Sequence, residues 1–404
     1  MTDSAFGTPL PPPPDPWAGS EMPARRGGPP WLMTDLIDAE PDLAARLLTR
    51  LAGRSGAAAR LAMAVRASAA AGKPVLVTGC GTSEHGAVAV AEILREALRT
   101  AGLPWRLGTA GCPVAVQAFE GSLEDWLGGE GGIVIGVSHE GGTWATNEAL
   151  QQAKRSGATT ALITASDRSP GAALAEIVVT TDEQDKSWCH TIGYLSPIVV
   201  GAAVAAHITG EPIDPAATRA LLGAGLAADA VRATESMAAA LGGVDRLIVT
   251  ASGADRAAAR ELVLKVEEGA HIAAAYRDLE TVLHGHLAGM DASTGLVLIL
   301  TDQAAGSERA ARAAGVLRAA AAIGVPAGAI LSGVHAVAID SPLTPAGRLL
   351  VPDAPSMPAT IASIVGTVVP LQLLTERLAR VRGVNPDPIR RDDPRYLAAA
   401  DAAG

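Results

Sequence analysis

The chain has 404 residues, 49% hydrophobic and 18% charged, a globular balance long enough for two domains that each bury a core. Its formal net charge of -10 leaves no basic surplus for a nucleic-acid backbone, so no nucleic acid is expected as a partner. Three scattered cysteines, Cys80, Cys112 and Cys189, exclude a disulfide framework or a CxxC metal site and fit a reducing compartment.

Residues 1–30 hold a proline run, Pro11 to Pro14, and a second Gly/Pro stretch at 27–30, which reads as a mobile or draped arm. Folding starts near Trp31, with a helix expected from about Asp42 to Ala52. Strand and helix then alternate: Val75–Thr78 before a helix through Glu92–Leu98, Ile133–Val137 before a helix from about Thr146 to Arg155, then Thr160–Ile163. That alternation, with aromatics at only 3%, predicts an α/β fold with a doubly wound parallel sheet covered by helices on both faces. No run of about 18 apolar residues stands free of breaks, and no basic-then-apolar leader is visible, so no membrane partner and a cytoplasmic location are expected.

The same order returns later in the chain. VLVTGCGTSEHGA (75–87) is echoed by LIVTASGADRAAA (247–259), with Gly81 matched to Gly253, and VIGVSHEGGTWATNEAL (134–150) more weakly by LILTDQAAGSERAARAA (298–314). The offsets, 247 − 75 = 172 and 298 − 134 = 164, nearly agree, as a duplicated unit requires. Boundaries are placed at 31–212 for the first domain, 213–378 for the second and 379–404 for a C-terminal tail.

Two turns at strand ends stand out in the first repeat: Gly79-Cys80-Gly81-Thr82-Ser83 and Ser138-His139-Glu140-Gly141-Gly142-Thr143. Ligands bind beyond the carboxyl ends of parallel strands, and hydroxyls with free N–H groups at a helix start hold anions or sugar oxygens. Such residues also serve as plain helix caps. Two adjacent turns, degraded to TASGAD and TDQAAGS in the second repeat, favour binding in the first.

GCGTSEHGA and the following S-x-x-G-x-T before a helix resemble the sugar-isomerase (SIS) family, and the pairing of two such units resembles the isomerase half of glucosamine-fructose-6-phosphate synthase. The likeness extends to MTDLIDAEP (33–41) and to GVNPDPIRRDDPRYLAAAD (383–401). It implies two tandem SIS domains with Gly81, Thr82, Ser83, Ser138, His139, Glu140 and Thr143 at a substrate site. In ELVLKVEEGAHIAAAY (261–276) and DLETVLHGHLAG (278–289) it implies Glu268 as the base between C1 and C2, Lys265 one turn before it, and His284 assisting ring opening. Spacing alone leaves Lys265 and Glu268 readable as an ordinary surface pair, and His284 as a core histidine.

Three departures bear on the reaction. Glu140 replaces the second Ser of the S-x-S-G-x-T phosphate loop, so either a basic group such as Lys186 offsets it or the substrate lacks phosphate there. The tail lysine that would form a Schiff base has no counterpart among Arg390, Arg391 and the acids after them, and no glutaminase domain precedes the repeats. His85, His139 and His190 share no metal-ligand spacing, so no metal and no cofactor are expected, and Cys80 and Cys189 read as small apolar groups. The expectation is an aldose-ketose isomerase, or an amino-sugar deaminase or deglycase, acting on a small sugar or sugar phosphate as a homodimer. The alternative is a non-catalytic sugar sensor.

Overall fold

The computed structural model describes residues 23–103 and 109–403; the Pro11–Pro14 run lies outside them. The chain opens with α1 (Leu32–Leu51) and α2 (Ala57–Ala70), then runs β1 (Val75–Gly79), α3 (Thr82–Thr100), β2 (Pro113–Gln117), α4 (Ala118–Ser122), β3 (Ile133–Val137), α5 (Trp144–Arg155), β4 (Thr159–Thr164), β5 (Ile177–Thr180) and α6 (Ile192–Thr209). Two helices, α7 (Pro215–Ala224) and α8 (Ala228–Leu241), lead to β6 (Arg246–Ala251), α9 (Arg256–Lys265), β7 (Ala273–Asp278) and β8 (Thr294–Leu300). Then come α10 (Gly306–Ala322), β9 (Ala327–Ser332), α11 (Gly333–Ala338), β10 (Gly347–Val351), α12 (Ala359–Arg382) and α13 (Pro394–Ala403).

Two all-parallel five-stranded sheets result, ordered β2-β1-β3-β4-β5 and β10-β9-β8-β6-β7. Read from opposite edges the two orders are the same, and in each the chain reverses direction across one strand pair, β1/β3 or β6/β8. That switch point is where parallel sheets hold ligands. β3 and β8 are buried along their whole length, as a strand covered on both faces must be.

The sequence reading put the first helix about ten residues too late. Pro41 lies inside α1, tolerated because flanking residues such as Met33, Ile37, Leu43 and Ala44 are anchored in the core. The described end of the arm is draped on the fold: Asn385 donates to the Arg26 carbonyl (3.1 Å), and the Arg26 guanidinium pairs with Asp35 and donates to the Pro30 carbonyl (2.9 Å). The helices α6 and α12 are long and apolar enough to cross a bilayer by length and composition, although Pro197 and Pro370 interrupt their apolar runs. Both are largely buried in protein here, and apolar residues such as Tyr194, Leu195, Val368 and Leu374 knit the two halves into one core.

Candidate functional site

Glycine at 79 lets α3 start hard against β1: a Cβ there would stand 2.6 Å from the Ser83 carbonyl. Gly81 follows at φ +56, in the left-handed region, as does Gly253 at φ +63 in the second half. The turn faces across the molecule. Thr82, buried, donates to Glu261 (3.2 Å), and His85 Nδ1 lies 2.7 Å from the other Glu261 oxygen, while Ser83 stays partly exposed.

Glu261 belongs to α9, which winds into a π-helical turn over Val266–Ala270. Residues 261, 265 and 268 therefore share one face, and the wider turn re-aims Glu268. Lys265 Nζ sits 2.5 Å from Glu268 and 3.6 Å from Glu261. Lys265 and Glu261 are 0% exposed, whereas Glu268 keeps 22% of its side chain open. Burial disfavours the Lys265 ammonium, but Glu268 and Glu261 outweigh it and raise its pKa. Desolvation pushes the Glu268 carboxyl up, with Lys265 pulling the other way. A raised carboxyl with one open edge suits proton transfer. That edge borders a cleft of about 340 Å³ lined also by His271, Arg390 and Tyr396.

The second turn is held by hydrogen bonds of its own. Ser138 is buried, and its Oγ accepts from Gly141 N (3.1 Å) and donates to Thr143 Oγ1 (3.4 Å). His139 is buried too, its Nε2 accepting from Asp185 N (2.8 Å), so the proton rests on Nδ1. Burial lowers its pKa to about 4. Ser138 and His139 thus hold the turn's shape, leaving Thr143 exposed and Glu140 half-exposed at its surface.

The tail completes the site. Asp387 accepts from Leu32 N (3.0 Å) and Met33 N (2.9 Å), capping α1, and its carbonyl takes Trp188 N (2.9 Å). Ile389 and Arg390 then adopt φ +43 and +62, a left-handed pair that is costly for a β-branched residue. This strained turn sets the Arg391 guanidinium 3.6 Å over the Trp188 ring. Desolvation lowers the Arg391 pKa, opposed by the charges of Glu140 and Glu268. Arg391 therefore lies within electrostatic reach of both Glu140 and Glu268.

His284 stands apart. It is 70% exposed and bonds Glu280 (2.8 Å), which also pairs with Arg312 (2.6 Å); among the described residues no hydrogen bond or ion pair joins it to the Lys265–Glu268 cluster. Glu261, Arg391 and Trp188 were missed from sequence. Glu261 could have been found as the residue one turn before Lys265 on the face that carries Glu268. Cys80 and Cys189 have thiol pKa values raised by burial, and neither is poised as a nucleophile.

The corresponding turns of the second half are closed upon themselves. Asp302 accepts from Ala254 N (2.9 Å) and pairs with Arg309, and a Cβ on Gly253 would meet the Asp302 carboxylate at 2.2 Å. Asp255 takes the N–H groups of Thr301 (2.6 Å) and Asp302 (2.9 Å) and the Ser363 hydroxyl (3.0 Å).

The chain matches no protein-family model and no curated protein sequence. Solved structures do resemble it. The C-terminal domain of glucosamine-fructose-6-phosphate aminotransferase from Francisella tularensis superposes with a TM-score of 0.73 at 17% identity, covering 89% of this chain and 98% of that one. Tagatose-6-phosphate ketose/aldose isomerase from Escherichia coli gives 0.69 at 18% identity, covering 89% and 95%. Glucosamine-6-phosphate deaminase from Thermotoga maritima gives 0.61 at 14%, covering 88% and 96%. At these identities the likeness establishes the fold, two SIS-type parallel sheets spanning nearly the whole chain.

Proposed function

We propose that this chain uses its SIS-type fold to move a proton between C1 and C2 of a sugar or amino sugar, with Glu268 as the base. The observation that carries the reading is the buried Glu261–Lys265–Glu268 cluster, which is hydrogen-bonded to the first-half turn and opens to a cleft at Glu268. In the aldose-to-ketose direction the C2–H bond breaks towards Glu268, its electron pair forms the C1–C2 double bond, and the C1 carbonyl pair moves onto O1. The O2–H proton passes to O1 and the O2–H electron pair forms the C2 carbonyl, while the C1–C2 pair takes the proton back from Glu268 at C1. Lys265 steadies the carboxylate and the charge that builds on the sugar oxygens. With an amino group at C2 the same transfer gives a C2 imine, which water hydrolyses to the ketose with release of ammonia. The solved proteins of this fold named as a ketose/aldose isomerase and as a glucosamine-6-phosphate deaminase support both arms.

Ser83, Thr143 and Glu140 are the groups of the two turns that reach the sugar, with Thr82, Ser138 and His139 shaping those turns from behind. His284, exposed on its own copy, is assigned to the site of a second copy in a homodimer. Three free thiols fit a reducing compartment, and the cytoplasm is the proposed location.

The test is Glu268→Gln, followed by NMR of a panel of aldoses, ketoses and hexosamines. A loss of roughly 100-fold or more in turnover with binding retained is expected. Unchanged turnover on the best substrate would remove Glu268 from this role, and binding without conversion by the wild-type chain would make it a sensor.

A further inference from the structure

The cleft at Glu268 contains a cation that no neighbouring acid answers. Arg390 lines it together with Glu267, Glu268, His271 and Tyr396, and belongs to the left-handed pair Ile389–Arg390 of the tail. Non-glycine residues keep that conformation only where surrounding contacts enforce it, and such residues gather at functional sites. The partly buried Arg390 guanidinium lies 4.7 Å over the Tyr396 ring, and among the described residues it has no hydrogen bond or ion pair. A guanidinium stacked on an aromatic face keeps its in-plane N–H fork free, and that fork fits two oxygens of a carboxylate or phosphate.

The acids around Arg390 are each engaged elsewhere. Glu268 pairs with Lys265 (2.5 Å), and Glu267 accepts from Ala274 N (3.1 Å). Asp392 pairs with Arg25, and Asp393 with Arg395 (2.6 Å). Lys265 cannot take the place of Arg390 towards a ligand, because it is 0% exposed and shared by Glu268 and Glu261.

The size of the cleft fixes where an anion belongs on the ligand. At about 340 Å³ it lies at the small end of ligand pockets, so a group held by Arg390 stands near the carbon that faces Glu268. C1 and C2 must themselves bear the carbonyl, hydroxyl or amine that reacts, so the anion is carried on a substituent of one of them or of C3.

We infer that Arg390 is the anion-binding residue of this cleft, and that the substrate carries a carboxylate or phosphate beside the reacting carbons rather than only at the far end of the sugar. The inference rests on the preceding reading that a sugar occupies the cleft at Glu268, and adds its substrate class.

Isothermal titration of the full chain, Arg390→Gln and Arg390→Lys with matched ligands tests it. N-(1-deoxyfructosyl)glycine against N-(1-deoxyfructosyl)glycinamide offers a carboxylate near C1, fructose 1-phosphate against fructose a phosphate there, and fructose 6-phosphate against fructose an anion at the far end. The wild-type chain is expected to bind one of the first two acids at least tenfold more tightly than its neutral partner. Arg390→Gln should erase most of that advantage and Arg390→Lys keep part of it, with the 6-phosphate ratio the same in all three proteins. No advantage for either near anion, or one that survives Arg390→Gln, would overturn the inference, as would a 6-phosphate advantage that Arg390→Gln removes. In each of those cases a turnover that still falls in Glu268→Gln leaves the C1–C2 chemistry standing. Binding of none of the five ligands would overturn both.

Discussion

Replacing Lys265 with methionine removes the one cation between two buried carboxylates and keeps nearly the same volume. Lys265 is 0% exposed, 2.5 Å from Glu268 and 3.6 Å from Glu261, so its loss leaves Glu268 and Glu261 to repel each other in the core. Breaking a buried ion pair from one side costs about 3–5 kcal/mol. With an unfolding entropy of about 2.1 cal/mol/K per residue, the 404-residue chain has roughly 0.85 kcal/mol/K, so Tm should fall by roughly 4–6 °C at pH 8. The sign of the pH dependence follows from the direction of the Glu268 shift. Its folded pKa is already raised by burial, and the variant loses the opposing pull of Lys265. Above the unfolded carboxylate range the variant's folded state then holds more protons than its unfolded state, and its stability declines as pH rises. The deficit should therefore be smaller at pH 5 than at pH 8. Differential scanning calorimetry of both proteins at the two pH values checks this. A deficit under 1 °C, or one identical at both pH values, would refute the buried-cluster reasoning.

Three further outcomes are expected. Asp387→Ala uncaps α1 by freeing the N–H groups of Leu32 and Met33, and urea unfolding should show a loss of about 1–2 kcal/mol. His139, with its pKa lowered to about 4 by burial, should show no imidazolium signal by NMR at pH 6; below about 6.5 the unfolded chain takes up the proton first, so its contribution to stability is lost as pH falls from about 6.5 towards 4. A His139 midpoint near 6.5 would contradict the buried acceptor geometry. Gly141→Ala forces a side chain at φ +68 to within 2.2 Å of Ser169 Oγ, and should cost about 1–3 kcal/mol by thermal melting along with sugar binding by calorimetry.

Local pattern made β1, β3 and β4 legible, because buried apolar runs ending in Gly or Ser announce a parallel strand and its turn. It also made Gly81 and Gly253 legible as a matched pair, and both take the left-handed conformation. β2, with three of its five residues only partly buried, carries too mixed a pattern to read as a strand. The start of α1 was hidden by Pro41, a residue that favours helix starts and here sits in a helix interior held by tertiary packing. In the site, helical spacing exposed Lys265 and Glu268. Whether Ser138 and His139 face the ligand or the core depends on Asp185 and on the turn's own hydrogen bonds, which no local pattern encodes. Arg391 was obscured by the acids after it, two of which turn out to be occupied elsewhere: Asp392 pairs with Arg25, and Asp393 with Arg395.

The proposed proton transfer requires one sugar to reach both Glu268 and the turns of the first sheet, which Thr82 and His85 tie to the acidic helix at Glu261. A crystal structure of the chain grown with glucosamine tests this most directly. The sugar is predicted to bridge the two, with Glu268 at its C1–C2 edge and Thr143 or Glu140 within hydrogen-bond reach of its far end. Glucosamine bound at the second-sheet turn around Gly253, or held by one half alone, would contradict it.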